Sequence, residues 1–190
     1  MTDGPTTFIA FEGARRIASG DLADVADAVK RAAERDPAAR LAVFDRATGR
    51  PVDLDLRGAE AEVVARYAPP PSAGVRRGRP KLGVVSREVT LLPRHWDWLA
   101  RQPGGASTSL RRLVEAARKA DAGATETRER AEAAYRFMSA TGGDLEGFEE
   151  AARALFAGDR DRLEALLASW PADLRDEVLA LLGRAPSDAG

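Results

Sequence analysis

Three consecutive prolines, Pro69-Pro70-Pro71, followed by Ser72-Ala73-Gly74, constrain this chain more than any other feature. Proline lacks a backbone N–H and fixes φ, so such a run sits neither inside a helix nor in a central strand. By composition it is an extended, semi-rigid linker and the best domain boundary in the chain. A softer boundary falls near Ala122-Gly123.

Before the prolines the pattern predicts ββαββ. Thr6–Phe11 is apolar and β-prone, and Glu12-Gly13 supplies a turn into Arg15–Ala18. Ser19, Gly20 and Asp21 offer N-cap chemistry, after which Leu22, Val25, Ala26, Val29 and Ala33 form one helical stripe ended by Asp36-Pro37. Leu41–Asp45 and Pro51–Leu56 read as a second strand pair around Thr48-Gly49. Val52-Asp53-Leu54-Asp55-Leu56 alternates strictly, with one apolar face and one acidic face. A short helix is possible over Ala59–Tyr67.

Beyond Ala122-Gly123 the chain reads as a small antiparallel bundle. Thr125–Ala140 carries Ala131, Ala134, Tyr135 and Met138, and Gly142-Gly143 breaks it. Asp144 is placed to cap a helix with Phe148, Ala152, Leu155 and Phe156. Gly158-Asp159 starts another with Leu163, Leu166, Leu167 and Trp170. Pro171 then occupies a first helical turn leading to Leu174, Val178, Leu181 and Leu182. The expected fold class is therefore α+β: an acidic ββαββ domain over residues 1–68, a Pro-rich then basic linker over 69–84, a strand-helix-helix module over 85–121 and a helical domain over 122–190.

Charge is segregated along this plan. Residues 75–119 hold 11 Arg or Lys against three acids, about +8, while the whole chain is at −1. Such a field attracts a polyanion, because each cation meeting a phosphate releases condensed counterions. Within it Arg77-Gly78-Arg79-Pro80-Lys81 resembles the core of the AT-hook, an element of the minor groove of A·T-rich DNA. Glycine allows close backbone approach, proline keeps the chain extended, and arginines suit a narrow groove of enhanced negative potential. Arg77, Arg79 and Lys81 are the candidate contacts.

Arg87–Leu92 reads as a short strand closed by Pro93. A helix from His95 to about Arg101 follows, then the break Pro103-Gly104-Gly105-Ala106. Ser107 caps a second helix with Leu110, Leu113, Val114 and Ala117 on one face. This order resembles a ribbon-helix-helix protein. The resemblance implies a homodimer whose strands at 87–92 pair into a ribbon entering the major groove of double-stranded DNA, with phosphate held at the N-terminus of the second helix. Arg87 and Thr90 are the candidate strand contacts. They lie on opposite faces, so the register decides between them, and it also decides whether Glu88 faces DNA. Ser107, Arg111 and Arg112 are the candidate phosphate anchors. A unit of one strand and two helices buries too little alone, and dimerisation supplies the missing core.

Nearly the full length also resembles a bacterial domain-of-unknown-function family numbered 2239. The resemblance is carried by Arg16-Ile17-Ala18-Ser19-Gly20, Phe44-Asp45-x-x-Thr48-Gly49-Arg50, Val52–Gly58, Gly78–Leu99, Gly104–Ser107 and Trp170-Pro171. That family brings no established activity with it.

An enzyme is not expected. The single histidine, His95, has no nameable nucleophile or orienting partner, and no Walker loop or nucleophile elbow is present. Cysteine is absent, which excludes disulfides and thiolate metal sites. Asp45, Asp53 and Asp55 could in principle hold Mg²⁺ or Ca²⁺, but a solvated sheet face is the expected role. No cofactor or metal is expected. No apolar run approaches the roughly 20 residues of a membrane span, so a cytoplasmic protein is expected. The rival to DNA binding is a protein–protein module whose basic centre docks on acidic surfaces such as Asp53/Asp55 and Asp144–Glu150.

Overall fold

Phe8-Ile9-Ala10-Phe11 and Leu41-Ala42-Val43-Phe44 are unbroken apolar runs, and they become the two inner strands of a four-stranded antiparallel sheet. The computed structural model describes residues 7–69 and 87–183. Strand β1 (Phe8–Glu12) turns into β2 (Arg15–Gly20), helix α1 (Leu22–Arg35) follows, and β3 (Leu41–Asp45) turns into a short β4 (Arg50–Pro51). The sheet order is β2-β1-β3-β4.

Successive strand side chains point to opposite faces. Ile9, Phe11 and Phe44 enter one apolar cluster, while Ala10 and Val43 enter another with Val25 and Val29 of α1. A strand buried on both faces has no reason to alternate, which accounts for the unbroken runs. Helix α1 begins where Asp21 accepts the Asp24 N–H at 2.9 Å, the N-cap that the sequence suggested. Asp21→Ala is expected to cost about 1 kcal/mol, measured by urea unfolding, with Asp21→Ser nearly neutral.

The fourth strand is shorter than expected. Its ladder stops at Pro51, although the Val52 N–H still donates to the Val43 carbonyl at 2.8 Å. Beyond that point the backbone finds side-chain partners on helix α2 (Glu60–Tyr67). The Asp55 N–H donates to the Tyr67 hydroxyl at 2.6 Å, and Arg66 donates to the Asp55 and Arg57 carbonyls at 2.5 and 3.1 Å. The apolar half of the alternation holds all the same: Val52, Leu54 and Leu56 pack on the α1 side of the sheet.

The opposite face is covered by the C-terminal helices α5 (Ala124–Gly142), α6 (Phe148–Ala157), α7 (Arg160–Leu167) and α8 (Ala172–Leu182). Phe137 of α5 lies 5.4 Å from Phe11 and 5.0 Å from Phe44, ring centre to ring centre, the latter edge-on. The sheet and the helices beyond residue 125, read from the sequence as parts of separate domains (1–68 and 122–190), thus share one core. The chain divides instead into one compact unit of Met1–Pro70 with Glu126–Gly190 and a second of Pro71–Thr125. Two helix starts also differ from expectation. Gly147, at φ 80°, precedes α6 in place of Asp144, and Pro171 sits one residue before α8 rather than within its first turn.

Polar contacts fasten the sheet to these helices. Arg46, just after β3, grips the buried Glu177 of α8 with two bonds, Nε to Oε1 at 2.7 Å and Nη2 to Oε2 at 3.0 Å. Asp173 accepts the Arg16 N–H at 2.8 Å, and Arg136 donates to the Thr48 carbonyl at 2.9 Å. The turn at Gly49 has φ 67°, and a Cβ there would lie 1.9 Å from the Ala133 carbonyl oxygen of α5. Only glycine meets both demands.

Candidate nucleic-acid interface

The described part of the second unit is built from residues 87–92 and two helices, α3 (Pro93–Ala100) and α4 (Gly105–Asp121). Pro93 opens α3 at its first position, where its missing N–H costs nothing. Residues 87–92 belong to no strand ladder among the described residues. The expected strand 87–92 thus has no strand partner among the described residues, and Arg87 and Thr90 are both exposed.

Ser107 is not the cap of α4. The chain enters the helix through Gly104 and Gly105, both at positive φ (81° and 75°), so the helix starts earlier and Ser107 becomes its exposed third residue. Consecutive left-handed glycines are open to no other residue type without strain, and they override the serine signal. Ser107 still stands in the first turn, where backbone N–H groups lack intrahelical partners.

Arg111 and Arg112 are exposed on α4, and neither has an ion pair among the described residues. Arg118, by contrast, pairs with Glu115 at 3.0 Å. Residues 87–119 carry seven Arg or Lys against three acids. Arg77, Arg79 and Lys81 lie outside the described residues.

The apolar content of this unit is turned outward. Leu99 is its single buried apolar residue among those described, while Val89, Leu92, Trp96, Trp98, Leu113 and Val114 are 41–55% exposed. Helix length explains this: α3 has 8 residues and α4 has 17. At 1.5 Å per residue, α3 cannot cover the stripe of α4 beyond Leu110. Leu91, His95, Trp98, Leu99, Leu110 and Leu113 line an open apolar groove. The stripe on α4 is legible from spacing alone, whereas its exposure depends on how little α3 covers.

Of the three aspartates considered for a metal, Asp55 and Asp45 are bound by near neighbours in the sequence. Asp55 takes a two-point contact from Arg57, at 2.8 and 2.7 Å, which together with Arg66 holds its carboxyl well below the usual range. Asp45 accepts the Ala47 N–H at 2.7 Å, and Asp53 is exposed. Among the described residues no group of three or more His, Cys, Asp or Glu is placed to hold a metal ion, and no helix is long and apolar enough to cross a membrane.

These features define a mixed α+β protein in which a sheet clasped between helices accompanies a basic helix pair with an uncovered apolar face. The chain belongs to a family of uncharacterized proteins conserved in bacteria, DUF2239, whose match runs over residues 7–182 and so includes both units. No curated protein and no solved structure matches it.

Proposed function

We propose that this chain is a DNA-binding protein of the bacterial cytoplasm, a transcriptional regulator or nucleoid-associated factor. It acts as a homodimer through residues 87–92 and α3–α4, in the manner of a ribbon-helix-helix protein. The observation that carries this reading is the division of labour around α4. Leu110, Leu113, Val114 and Ala117 share one face at helical spacing, whereas Arg111 and Arg112 lie 100° and 200° around from Leu110 and have no ion pair among the described residues. The apolar face suits a second copy, and the free cations suit a polyanion.

The uncovered area supports the dimer. The six exposed apolar side chains leave roughly 500–600 Å² open per copy. Trp96 and Trp98 lie about 200° apart on α3, so a dimer must wrap both sides of that helix to approach the lower end of what a stable interface buries, about 1,200 Å². In this reading Ser107, Arg111 and Arg112 hold phosphates, Arg87 or Thr90 reaches the groove from the strand, and Arg77, Arg79 and Lys81 follow the minor groove of A·T-rich duplex. The same uncovered face favours one rival, a protein–protein module with no nucleic-acid role.

Fluorescence anisotropy of labelled A·T-rich and G·C-rich duplexes separates the two. Micromolar or tighter binding is expected, with log K falling linearly in log salt by about 0.9 per phosphate engaged. No binding at low salt would overturn the DNA reading and leave the rival.

A further inference from the structure

Apart from the basic unit, the first unit contains a cleft that no part of the foregoing reading uses. It lies where α5, the α6–α7 corner and the end of α8 meet, with a volume of about 230 Å³. Ala131, Ala154, Leu155, Leu163 and Leu182 make its floor. Leu155 and Leu163 are buried core residues, so the floor is held by the same cluster that joins the helices to the sheet.

Its rim is cationic and hydroxylic. Thr127, Arg130 and Ala131 follow one face of α5 at i, i+3 and i+4. Arg160 is fixed in place, Nε donating to Glu164 at 2.9 Å and Nη1 to the Gly183 carbonyl at 2.8 Å. Arg130 is committed at one nitrogen, Nη2 to Glu126 at 2.5 Å, and its Nη1 lies beside Gly183 with no hydrogen bond among the described residues. The third charged group, Asp159, is occupied as the cap of α7, accepting the Arg162 N–H at 3.1 Å. Its carboxylate is therefore turned to the helix backbone. Gly158, at the corner itself, has nothing within 4 Å of where a Cβ would stand, so the mouth there is open.

We propose that this cleft binds a small monocarboxylate with an apolar tail. An apolar floor removes the tail from water, and a planar guanidinium with free N–H groups matches a carboxylate in geometry and charge. Thr127 Oγ1 supplies a further donor at the same edge. A six-carbon chain ending in a carboxylate presents both groups, an apolar tail to the floor and a carboxylate to Arg130. The polar groups set orientation, and the floor supplies most of the affinity.

The test is thermal unfolding of the full chain with hexanoate, acetate and hexanol, each at equal millimolar concentration and constant ionic strength. Hexanoate is expected to raise Tm in a saturable way, with acetate and hexanol each far weaker. In methyl-labelled protein the resonances of Leu155, Leu163 and Leu182 should shift along the same binding curve. Arg130→Gln, at a residue with a half-exposed side chain, should leave the ligand-free Tm near its original value and weaken hexanoate binding at least tenfold. Equal effects of acetate and hexanoate, unshifted leucine methyls, or undiminished binding by Arg130→Gln would each overturn the proposal. Because no DNA enters the experiment, its result is independent of the role of the basic unit.

Discussion

Arg46→Ala is expected to destabilise the first unit by about 3–5 kcal/mol, because it leaves Glu177 buried and unpaired. Glu177 is 1% exposed, and its two carboxylate oxygens each take one bond from Arg46. The loss should also depend on pH. Burial pushes the Glu177 carboxyl above its usual range, while Arg46 and, more distantly, Arg16 pull it back down. The folded protein thus binds this proton more tightly than the unfolded chain does, so this group's contribution to stability falls as pH rises from the ordinary carboxylate range through the raised value. Without Arg46 the carboxyl rises further, and the deficit of the variant grows over the same rise. Below about pH 4 Glu177 is largely protonated folded or unfolded, and the deficit should shrink to lost packing and hydrogen bonding. Urea unfolding of both proteins at pH 7 and pH 4, monitored by Trp170 in the core, checks this. A deficit equal at the two pH values would mean that the charge of Glu177 is not what Arg46 serves. The double replacement Arg46→Met with Glu177→Leu should recover most of the loss, since neither change then strands a charge.

Replacing Arg77, Arg79, Arg111 and Arg112 together by Ala is expected to weaken duplex binding by about three orders of magnitude near 0.1 M salt. The slope of log K against log salt should become shallower by about four for each copy engaged. Arg111 and Arg112 are exposed and have no ion pair among the described residues, so the thermal unfolding of the variant should match that of the parent. Two partial variants then divide the contribution. Loss confined to A·T-rich duplex on changing Arg77 and Arg79 identifies a minor-groove role, whereas loss on any sequence from Arg111 and Arg112 identifies phosphate contacts. Unchanged affinity in the fourfold variant would overturn the DNA reading, and the uncovered apolar groove would then be read as a docking face for another protein.

How much of this was legible beforehand depended on the range of the interactions involved. Helix α1 was readable because its stripe, its Asp21 cap and its Asp36-Pro37 stop are all local. Strand β3 was readable for the same reason. The fourth strand was read too long: alternation over residues 52–56 reports which side chains are covered, while a ladder depends on where the backbone N–H groups find acceptors, and these came from Tyr67 and its neighbours on α2. The start of α4 was misread at Ser107 because the conformation of Gly104 and Gly105 outweighed a capping side chain.

For the candidate interface, the charge and the stripe of Leu110, Leu113, Val114 and Ala117 were written in the sequence, and the exposure of that stripe was not. Exposure is a property of what lies opposite, and α3 is too short to lie opposite most of α4. The cleft beside Arg130 and Arg160 was hidden for a related reason, since its walls come from four helices and no local pattern marks it.

By itself, then, the sequence determined the α+β class, most helices and strands, and the concentration of positive charge between the prolines and Ala122, because propensity, periodicity and charge act over a few residues. The tertiary structure decided that the sheet and the C-terminal helices share one core, that Arg46 and Glu177 meet across 131 positions, and that the basic helix pair keeps its apolar face uncovered. The first two outcomes follow from burying both faces of β1 and β3, a demand that only distant parts of the chain could meet, and the third follows from an α3 too short to cover α4.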